Sequence, residues 1–198
     1  MHLRVAQFVE RTEAEGPGLR FAVWVQGCLI RCADCCNPEM FPGEGGTRMT
    51  ARELARRALC TLDVEGVSLL GGEPFEQAAA CASFARLVRD AGLSVMVFTG
   101  YTLAELEARR GVAGVDDLLS ACDLLVDGRF EVDLLDASRR WIGSKNQVLH
   151  FLTPRYSPRD PRFGASNTAE IRLTRDALTL NGWPGLVPEL RRKARRTA

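Results

Sequence analysis

Apolar and polar positions alternate at the start of the chain, Leu3-Arg4-Val5-Ala6-Gln7-Phe8-Val9, and give way to a polar turn, Glu13-Ala14-Glu15-Gly16-Pro17-Gly18. The run Phe21-Ala22-Val23-Trp24-Val25 follows and is apolar on both sides, which predicts a strand buried on both faces, most at home in a parallel sheet. Thr50-Ala51-Arg52-Glu53 has capping-box spacing and opens a helix that Leu54, Ala58 and Leu59 carry to about Cys60. Val67-Ser68-Leu69-Leu70 predicts the next buried strand, stopped by Gly71-Gly72. A helix over 76–91 places Ala80, Phe84, Leu87, Val88 and Ala91 on one stripe, with Gly92 as its stop.

The alternation repeats with a strand over 93–98, a turn at Thr99-Gly100, and a second capping box, Thr102-Leu103-Ala104-Glu105, opening another helix. Strands over 123–126 and 147–152 come later. Successive strand–helix units predict a parallel sheet, either doubly wound or wrapped into a full or partial barrel, and periodicity does not choose between them. In either case chemistry belongs at the C-terminal ends of the strands, where the loops 28–36, 71–74, 99–101 and Asp127-Gly128 fall. The final third differs. Residues 153–168 hold Pro154, Pro158 and Pro161 and read as a long irregular loop suited to covering a site or meeting a partner. Ala169 to Thr174 and Ala177 to Leu180 predict a small hairpin around Arg175-Asp176, and the basic run Arg191 to Arg196 reads as a solvated end.

A chain of 198 residues fits one domain with a core that needs no disulfides. Its formal charge of +1 argues against a general nucleic-acid binder. The apolar runs are too short to cross a bilayer, and Met1-His2-Leu3-Arg4 lacks the apolar region of a signal peptide, so no membrane role and a cytoplasmic location are expected. Seven cysteines in a reducing compartment are then unsuited to structural disulfides. Their distribution carries the information, because Cys28, Cys32, Cys35 and Cys36 crowd one loop while Cys60, Cys81 and Cys122 are scattered.

Cys28, Cys32 and Cys35 have the spacing C-x3-C-x2-C, and three thiolates in one short loop can hold an iron-sulfur cluster or a zinc ion. Structural zinc takes four closed ligands, usually as two separated pairs; this chain offers no second pair and only His2 and His150 far off in sequence. A cluster usually takes four cysteines, so a three-cysteine site leaves one iron open to an outside ligand. Cys36 is adjacent to Cys35 and projects differently, which leaves it a bystander thiol or a redox-sensitive neighbour. Cys60, Cys81 and Cys122 read as small buried residues.

At these cysteines the sequence resembles the radical S-adenosylmethionine superfamily, and within it the short activating enzymes of glycyl-radical enzymes. It is most similar to the activases of anaerobic ribonucleotide reductase and more distantly to those of pyruvate formate-lyase. Further segments carry the resemblance: Glu15-Gly16-Pro17-Gly18-Leu19-Arg20, Asn37-Pro38-Glu39-Met40-Phe41, Gly71-Gly72-Glu73-Pro74, Asp127-Gly128-Arg129-Phe130, and Trp141-Ile142-Gly143-Ser144-Lys145-Asn146-Gln147. The resemblance implies an α/β fold, a partial (β/α)6 barrel of the radical S-adenosylmethionine type over residues 1–152. Residues 153–198 would add the Pro-rich loop, a C-terminal β-hairpin and the basic tail, packed on that core.

It also implies a 4Fe-4S cluster on Cys28, Cys32 and Cys35, whose open iron chelates the amino and carboxylate groups of S-adenosylmethionine. Gly71, Gly72, Glu73 and Pro74 would lie along the methionine moiety, glycines allowing close backbone approach and Glu73 accepting from the ammonium. Thr99, Asp127, Ser144 and Asn146 lie in segments placed to meet ribose, methionine or adenine, against the plainer reading of turn and capping roles. The implied reaction is reductive cleavage to a 5′-deoxyadenosyl radical that removes a hydrogen atom from a substrate. Iron-sulfur potentials reach down to about −700 mV, so a low-potential donor such as flavodoxin or ferredoxin is implied.

Asp34 departs from the family at the position before the last cluster cysteine, where an aromatic or glycine is usual; its charge would lower the cluster potential. Three functions follow for testing. The first is an activase whose substrate is a backbone glycine of a partner glycyl-radical enzyme. The second is a stand-alone enzyme for a small molecule or ribosomal peptide, with the Pro-rich loop and hairpin as cover. The third is a non-catalytic zinc-binding module.

Overall fold

A computed structural model of the chain describes residues 1–173 and 178–186. Seven strands form one sheet: β1 (His2–Thr12), β2 (Arg20–Val25), β3 (Thr47–Thr50), β4 (Gly66–Gly71), β5 (Ser94–Phe98), β6 (Leu124–Asp127) and β7 (Val148–Phe151). Their order is β3-β1-β2-β4-β5-β6-β7. The central four, β2-β4-β5-β6, pair in parallel, whereas β1 with β2, β1 with β3 and β6 with β7 pair antiparallel. Four helices, α1 (Ala51–Cys60), α2 (Ala78–Asp90), α3 (Leu103–Ala108) and α4 (Val115–Ala121), sit between the parallel strands in sequence. The fold is thus α/β with a mixed sheet, parallel at its centre and antiparallel at its edges, and the described residues form no closed barrel.

The periodic elements formed where the sequence places them. Thr50 Oγ1 accepts from Glu53 N at 3.0 Å to start α1, and at α3 both halves of the capping box are made, Thr102 N donating to Glu105 Oε2 at 2.7 Å. Strand β7 lies antiparallel, contrary to a run of parallel units. Between β6 and β7 the described chain has only a 3-10 turn at Val132–Leu134, and a parallel return needs a crossover, usually a helix. Leu87 and Ala91 are exposed at the outer margin of α2, while Ala80, Phe84 and Val88 are buried. Cys81 and Cys122 are buried as expected, but Cys60 is exposed at the last position of α1.

The parallel strands are buried on both faces, and the two faces do different things. Phe21, Val23, Val25, Val67, Leu69, Val95, Val97 and Leu125 pack under the helices against Leu54, Phe84, Val88, Leu106 and Leu118. Residues of opposite parity line the inner face in layers. Trp24, Leu70 and Phe98 stand near the C-terminal ends of their strands, with Met96, Leu124 and Val126 below and beside them. The segment after β6 covers the lower part, Trp141, Ile142, Tyr156 and Phe163 packing against Met96, Leu124 and Val126. The Pro-rich stretch therefore supplies core side chains to the face that the helices leave open.

At the far end of the inner face lies Arg20, fully buried. Its guanidinium donates to Ser68 Oγ (3.2 Å), Ser94 Oγ (2.5 Å), Tyr156 OH (3.3 Å) and the Val67 carbonyl oxygen. Burial pulls its pKa down, and donation to four oxygens compensates the lost water. Gly66 makes room for it, since a Cβ there would run into Arg20 Nη1.

The hairpin is present as β8 (Ala169–Leu173) and β9 (Leu178–Gly182), paired antiparallel as a separate two-stranded sheet. Its expected turn around Arg175-Asp176 and the basic run Arg191 to Arg196 lie outside the described residues. Arg20→Ala removes the guanidinium donor from Ser68, Ser94 and Tyr156, of which Ser94 and Tyr156 keep their mutual bond, and opens a void between β2, β4 and β5. The expected cost is about 3 kcal/mol, a fall in melting temperature of roughly 10 °C, read by anaerobic thermal unfolding.

Candidate functional site

Parallel pairing brings four strand ends to one edge. Val25 stands opposite Gly71, and Phe98 opposite Val126, so the loops that follow β2, β4, β5 and β6 open side by side. The cysteine loop is tied down at its start: Gly27 N donates to Met40 O (2.8 Å), Cys28 N to Phe41 O (3.1 Å), and Gln26 Nε2 to Pro42 O (2.8 Å). Leu29 N donates to Glu76 Oε1 at 2.8 Å, linking the loop to the turn before α2. Arg31 and Asp34 adopt left-handed backbone, with φ of 49° and 56°, which bends the loop twice between its cysteines.

Cys28, Cys32 and Cys35 are half-buried and line one cavity together with Gly71, Gly72, Glu73, Thr99 and Gly100. Trp24, Leu70 and Phe98 are its apolar floor. Burial pushes the Cys28 and Cys32 thiols up, so their thiolates need a compensating positive charge beside them. Asn37 N lies 3.4 Å from Cys35 Sγ as a donor to it, and Asn37 Nδ2 the same distance from Cys36 Sγ. Cys36 also faces the cavity, whereas Asp34 is exposed.

Among the described residues no three His, Cys, Asp or Glu side chains converge on one point as the ligands of a single ion do. An iron-sulfur cluster takes its thiolates on separate irons and asks for no such convergence. The donor set, three half-buried thiols on one loop and one cavity, fits a cluster.

Gly71 and Gly72 line the cavity, but the reason they are glycines lies on their other side. Gly71 has φ of 100°, and a Cβ there would come within 2.6 Å of Trp24 Cα; one on Gly72 would meet the Gly27 carbonyl oxygen. Their backbone is correspondingly close to β2 and its exit, with Gly72 N donating to Val25 O at 2.7 Å and Glu73 N to Gly27 O at 2.8 Å.

Glu73 is almost fully buried, and its carboxylate already accepts from Phe75 N (2.9 Å), Thr99 Oγ1 (2.8 Å) and Gly100 N (2.9 Å). It binds the turn after β4 to the turn after β5. Burial pushes its pKa up to about 7 against these donors. Pro74 is buried behind it and starts a 3-10 turn.

The other expected contacts stand further back. Asp127 is buried, accepting from Leu103 N (2.6 Å) and Val148 N (3.3 Å), with His150 Nε2 at 3.0 Å from Oδ2 but off hydrogen-bond alignment. Ser144 is fully buried with Oγ accepting from Glu131 N (3.1 Å). Exposed Asn146 donates to the Arg129 carbonyl oxygen at 2.7 Å. All three brace the segments around the cavity, whose wall on this side is made by Gly128, Phe130, Trp141, Gly143 and Gln147. Gln147 Nε2 donates to Gly128 O (2.8 Å) while its Oε1 accepts from Gly143 N (3.0 Å) and Ser144 N (3.1 Å). These wall residues fall within the two sequence segments read as motifs, but spacing alone does not single them out.

A further wall comes from the turn before β2 and from the C-terminal hairpin. Glu15 is buried there, its pKa pushed up to about 7 by burial, and it accepts from Asn181 Nδ2 at 3.2 Å. Leu180, Asn181, Gly182, Trp183 and Pro184 complete that side.

Among the described residues no helix is long and apolar enough to cross a membrane. The chain matches the 4Fe-4S single cluster domain family over residues 14–150, a span that holds the cysteine loop and every strand from β2 to β6. It is 33% identical over 147 residues to the anaerobic ribonucleoside-triphosphate reductase-activating protein of Vibrio cholerae, covering 70% of this chain and 91% of that one. The protein of the same name from Escherichia coli K12 is 34% identical over 146 residues, 69% of this chain and 91% of the relative. A pyruvate formate-lyase-activating enzyme of Listeria monocytogenes is 34% identical over a shorter stretch of 88 residues, 42% of this chain and 36% of that one. The chain belongs to the 4Fe-4S single cluster domain family and, within it, to the family of the anaerobic ribonucleoside-triphosphate reductase-activating proteins.

Proposed function

We propose that this protein is a radical S-adenosylmethionine enzyme that installs a glycyl radical on a partner enzyme of the anaerobic ribonucleotide reductase class. The observation that carries the reading is one cavity, in a chain of this family, that gathers three thiols with the Gly71-Gly72-Glu73 turn. Cys28, Cys32 and Cys35 would hold a 4Fe-4S cluster, leaving one iron for S-adenosylmethionine. A reduced cluster supplies, when bound, the electron that cleaves S-adenosylmethionine and starts hydrogen abstraction. Flavodoxin or ferredoxin would deliver that electron.

The protein's own residues orient and enclose. Gly71, Gly72, Glu73 and Pro74 would run along the methionine, with the Glu73 carboxylate accepting from its amino group on the lone pair of Oε2 that Phe75, Thr99 and Gly100 leave available. Thr99 is placed by Glu73 to meet the same ligand, while Asp127, Ser144 and Asn146 hold the ribose and adenine side, acting through the walls they brace. Trp24, Phe98, Phe130 and Trp141 keep water from a reactive intermediate. In the same reading the sheet is the open, partial barrel of this superfamily, residues 1–152 are its core, residues 153–198 are an extension whose described part packs on it, and the protein works in the cytoplasm.

Cys32→Ala is expected to abolish assembly of a full 4Fe-4S cluster and all 5′-deoxyadenosine formation. Iron and sulfide analysis with electron paramagnetic resonance of the reduced protein checks this, and a retained full cluster would remove Cys32 from the ligand set. Glu73→Gln should act on stability and on binding. In the apo chain the folded carboxyl titrates near 7 against 4.5 unfolded, so it binds its proton more tightly when folded. Stability therefore falls as pH rises from 4.5 to about 7, by up to about 3 kcal/mol from this group, and the Gln variant should lose that share of the slope in urea titrations. The same variant should bind S-adenosylmethionine about tenfold more weakly at pH 8. An unchanged affinity would assign Glu73 to the loop junction alone.

A further inference from the structure

The hairpin β8–β9 is packed the wrong way round for a hydrophobic core. Directly opposed residues of an antiparallel pair share a face, so Ile171 with Leu180 and Leu173 with Leu178 form one side, and Glu170 with Asn181 and Arg172 with Thr179 the other. The polar side is the one held against the body of the protein. Asn181 Nδ2 donates to Thr12 Oγ1 (3.0 Å) and Glu15 Oε1 (3.2 Å), and Glu170 Oε1 accepts from Glu13 N (2.8 Å). Arg172 donates to Asn181 Oδ1 (2.5 Å) and to the Arg11 carbonyl oxygen. On the apolar side Leu180 is buried, while Ile171, Leu173 and Leu178 are left outward, exposed by 58%, 80% and 45%.

An isolated two-stranded hairpin is marginal in water, and slipping one residue in register would turn these side chains inward. The buried Asn181–Glu15–Thr12 network prevents that slip. Contiguous apolar side chains held outward by a satisfied polar network mark a contact surface.

Its position says for what. The inner end of the same face is Leu180, which is buried and lines the cavity that holds the cysteines. Leu180 stands opposite Ile171, so the exposed apolar face meets the cavity at one shared residue. A second copy of this chain seated there would stand across that junction.

We propose that the β8–β9 face is the track on which the partner enzyme docks, its occupant being an extended apolar segment of the partner beside the glycine that enters the cavity. The inference rests on the reading above that the substrate is a glycine of a partner protein. The hairpin lies beyond the part of the chain that matches the cluster-domain family, residues 14–150, so the track is carried by the extension and not by the cluster-holding core.

The test uses the full chain with its cluster, S-adenosylmethionine and dithionite under anaerobic conditions, with the anaerobic ribonucleoside-triphosphate reductase of the same genome as substrate. Radical formation is followed by electron paramagnetic resonance as reductase concentration is varied. Ile171→Ser combined with Leu173→Ser should raise KM for the reductase about tenfold. Cluster content, 5′-deoxyadenosine formed without the reductase, and the rate on a short peptide carrying only the glycine loop should stay as in the unaltered chain. Leu173→Lys, at the most exposed of these positions, repeats the measurement should the double variant fail to fold. An unchanged KM overturns the proposal. So does sedimentation showing that the substitutions abolish self-association while KM stays the same, which would make the face a homodimer contact. If the unaltered chain places no radical on the reductase or the peptide, the activase reading itself fails and takes the docking track with it.

Discussion

The site depends on a backbone contact between two glycine-containing turns. Gly72 sits where any side chain would strike the carbonyl oxygen of Gly27, the residue immediately before Cys28. Because nothing stands between them, Gly72 N reaches Val25 O and Glu73 N reaches Gly27 O, extending the β2–β4 pairing past the ends of both strands. The cysteine loop thus leaves β2 already locked to the turn that follows β4. A wider turn would hold the three thiols at another height above the sheet. The two glycines act first on the protein's own backbone and only through it on the cavity.

Glu73 continues the same logic one strand further. Its carboxylate ties the turn after β4 to the backbone of the turn after β5, and Asp127 does the equivalent between β6, β7 and the start of α3. Carboxylates make these junctions because they accept several N–H donors from turns that have no ladder partner left. The junction at Glu73 has a cost: the carboxyl is buried enough to titrate near 7, so its three donors only partly offset its lost water. A group kept in that condition gains from any further donor that arrives in the cavity. An amino group would serve, which is how a structural brace and a ligand contact can be the same side chain.

What the sequence disclosed follows from which signals are local. The central strands were legible because Phe21 to Val25 and Val67 to Leu70 are buried on both faces and so carry unbroken apolar runs. Strand β3 was not, since Thr47-Arg48-Met49-Thr50 buries only Met49 and pairs along the edge with β1. The direction of β7 depends on a connection without a long helix, which periodicity does not report. The C-x3-C-x2-C spacing singled out Cys28, Cys32 and Cys35, and the structure brings all three to one cavity. Phe130, Trp141 and Gln147 were legible only as members of motif segments, and which of their neighbours turn toward the cavity is decided by bonds such as Gln147 to Gly128 and Gly143. Ser144 and Asn146, chosen from the same segment, brace it from behind.

The hairpin shows the opposite failure of local signals. Alternation in Ala169 to Leu173 correctly predicts a strand, and by itself would put Ile171 and Leu173 in the core. Their exposure is set by Asn181, which is polar and lies in the partner strand, and by Thr12 and Glu15 from the other end of the chain. A buried amide that satisfies two oxygens outweighs the exposure of a few apolar side chains, because leaving Glu15 without its donor inside the protein would cost more than leaving leucines partly wet. The polar face wins the interior, and of the hydrophobic face Leu180 alone among its large side chains is buried and lines the cavity. Glu15 belongs to the turn that leads into β2, the strand that ends at the cysteine loop. The orientation of the hairpin and the placement of the thiols are therefore fixed from opposite ends of one strand.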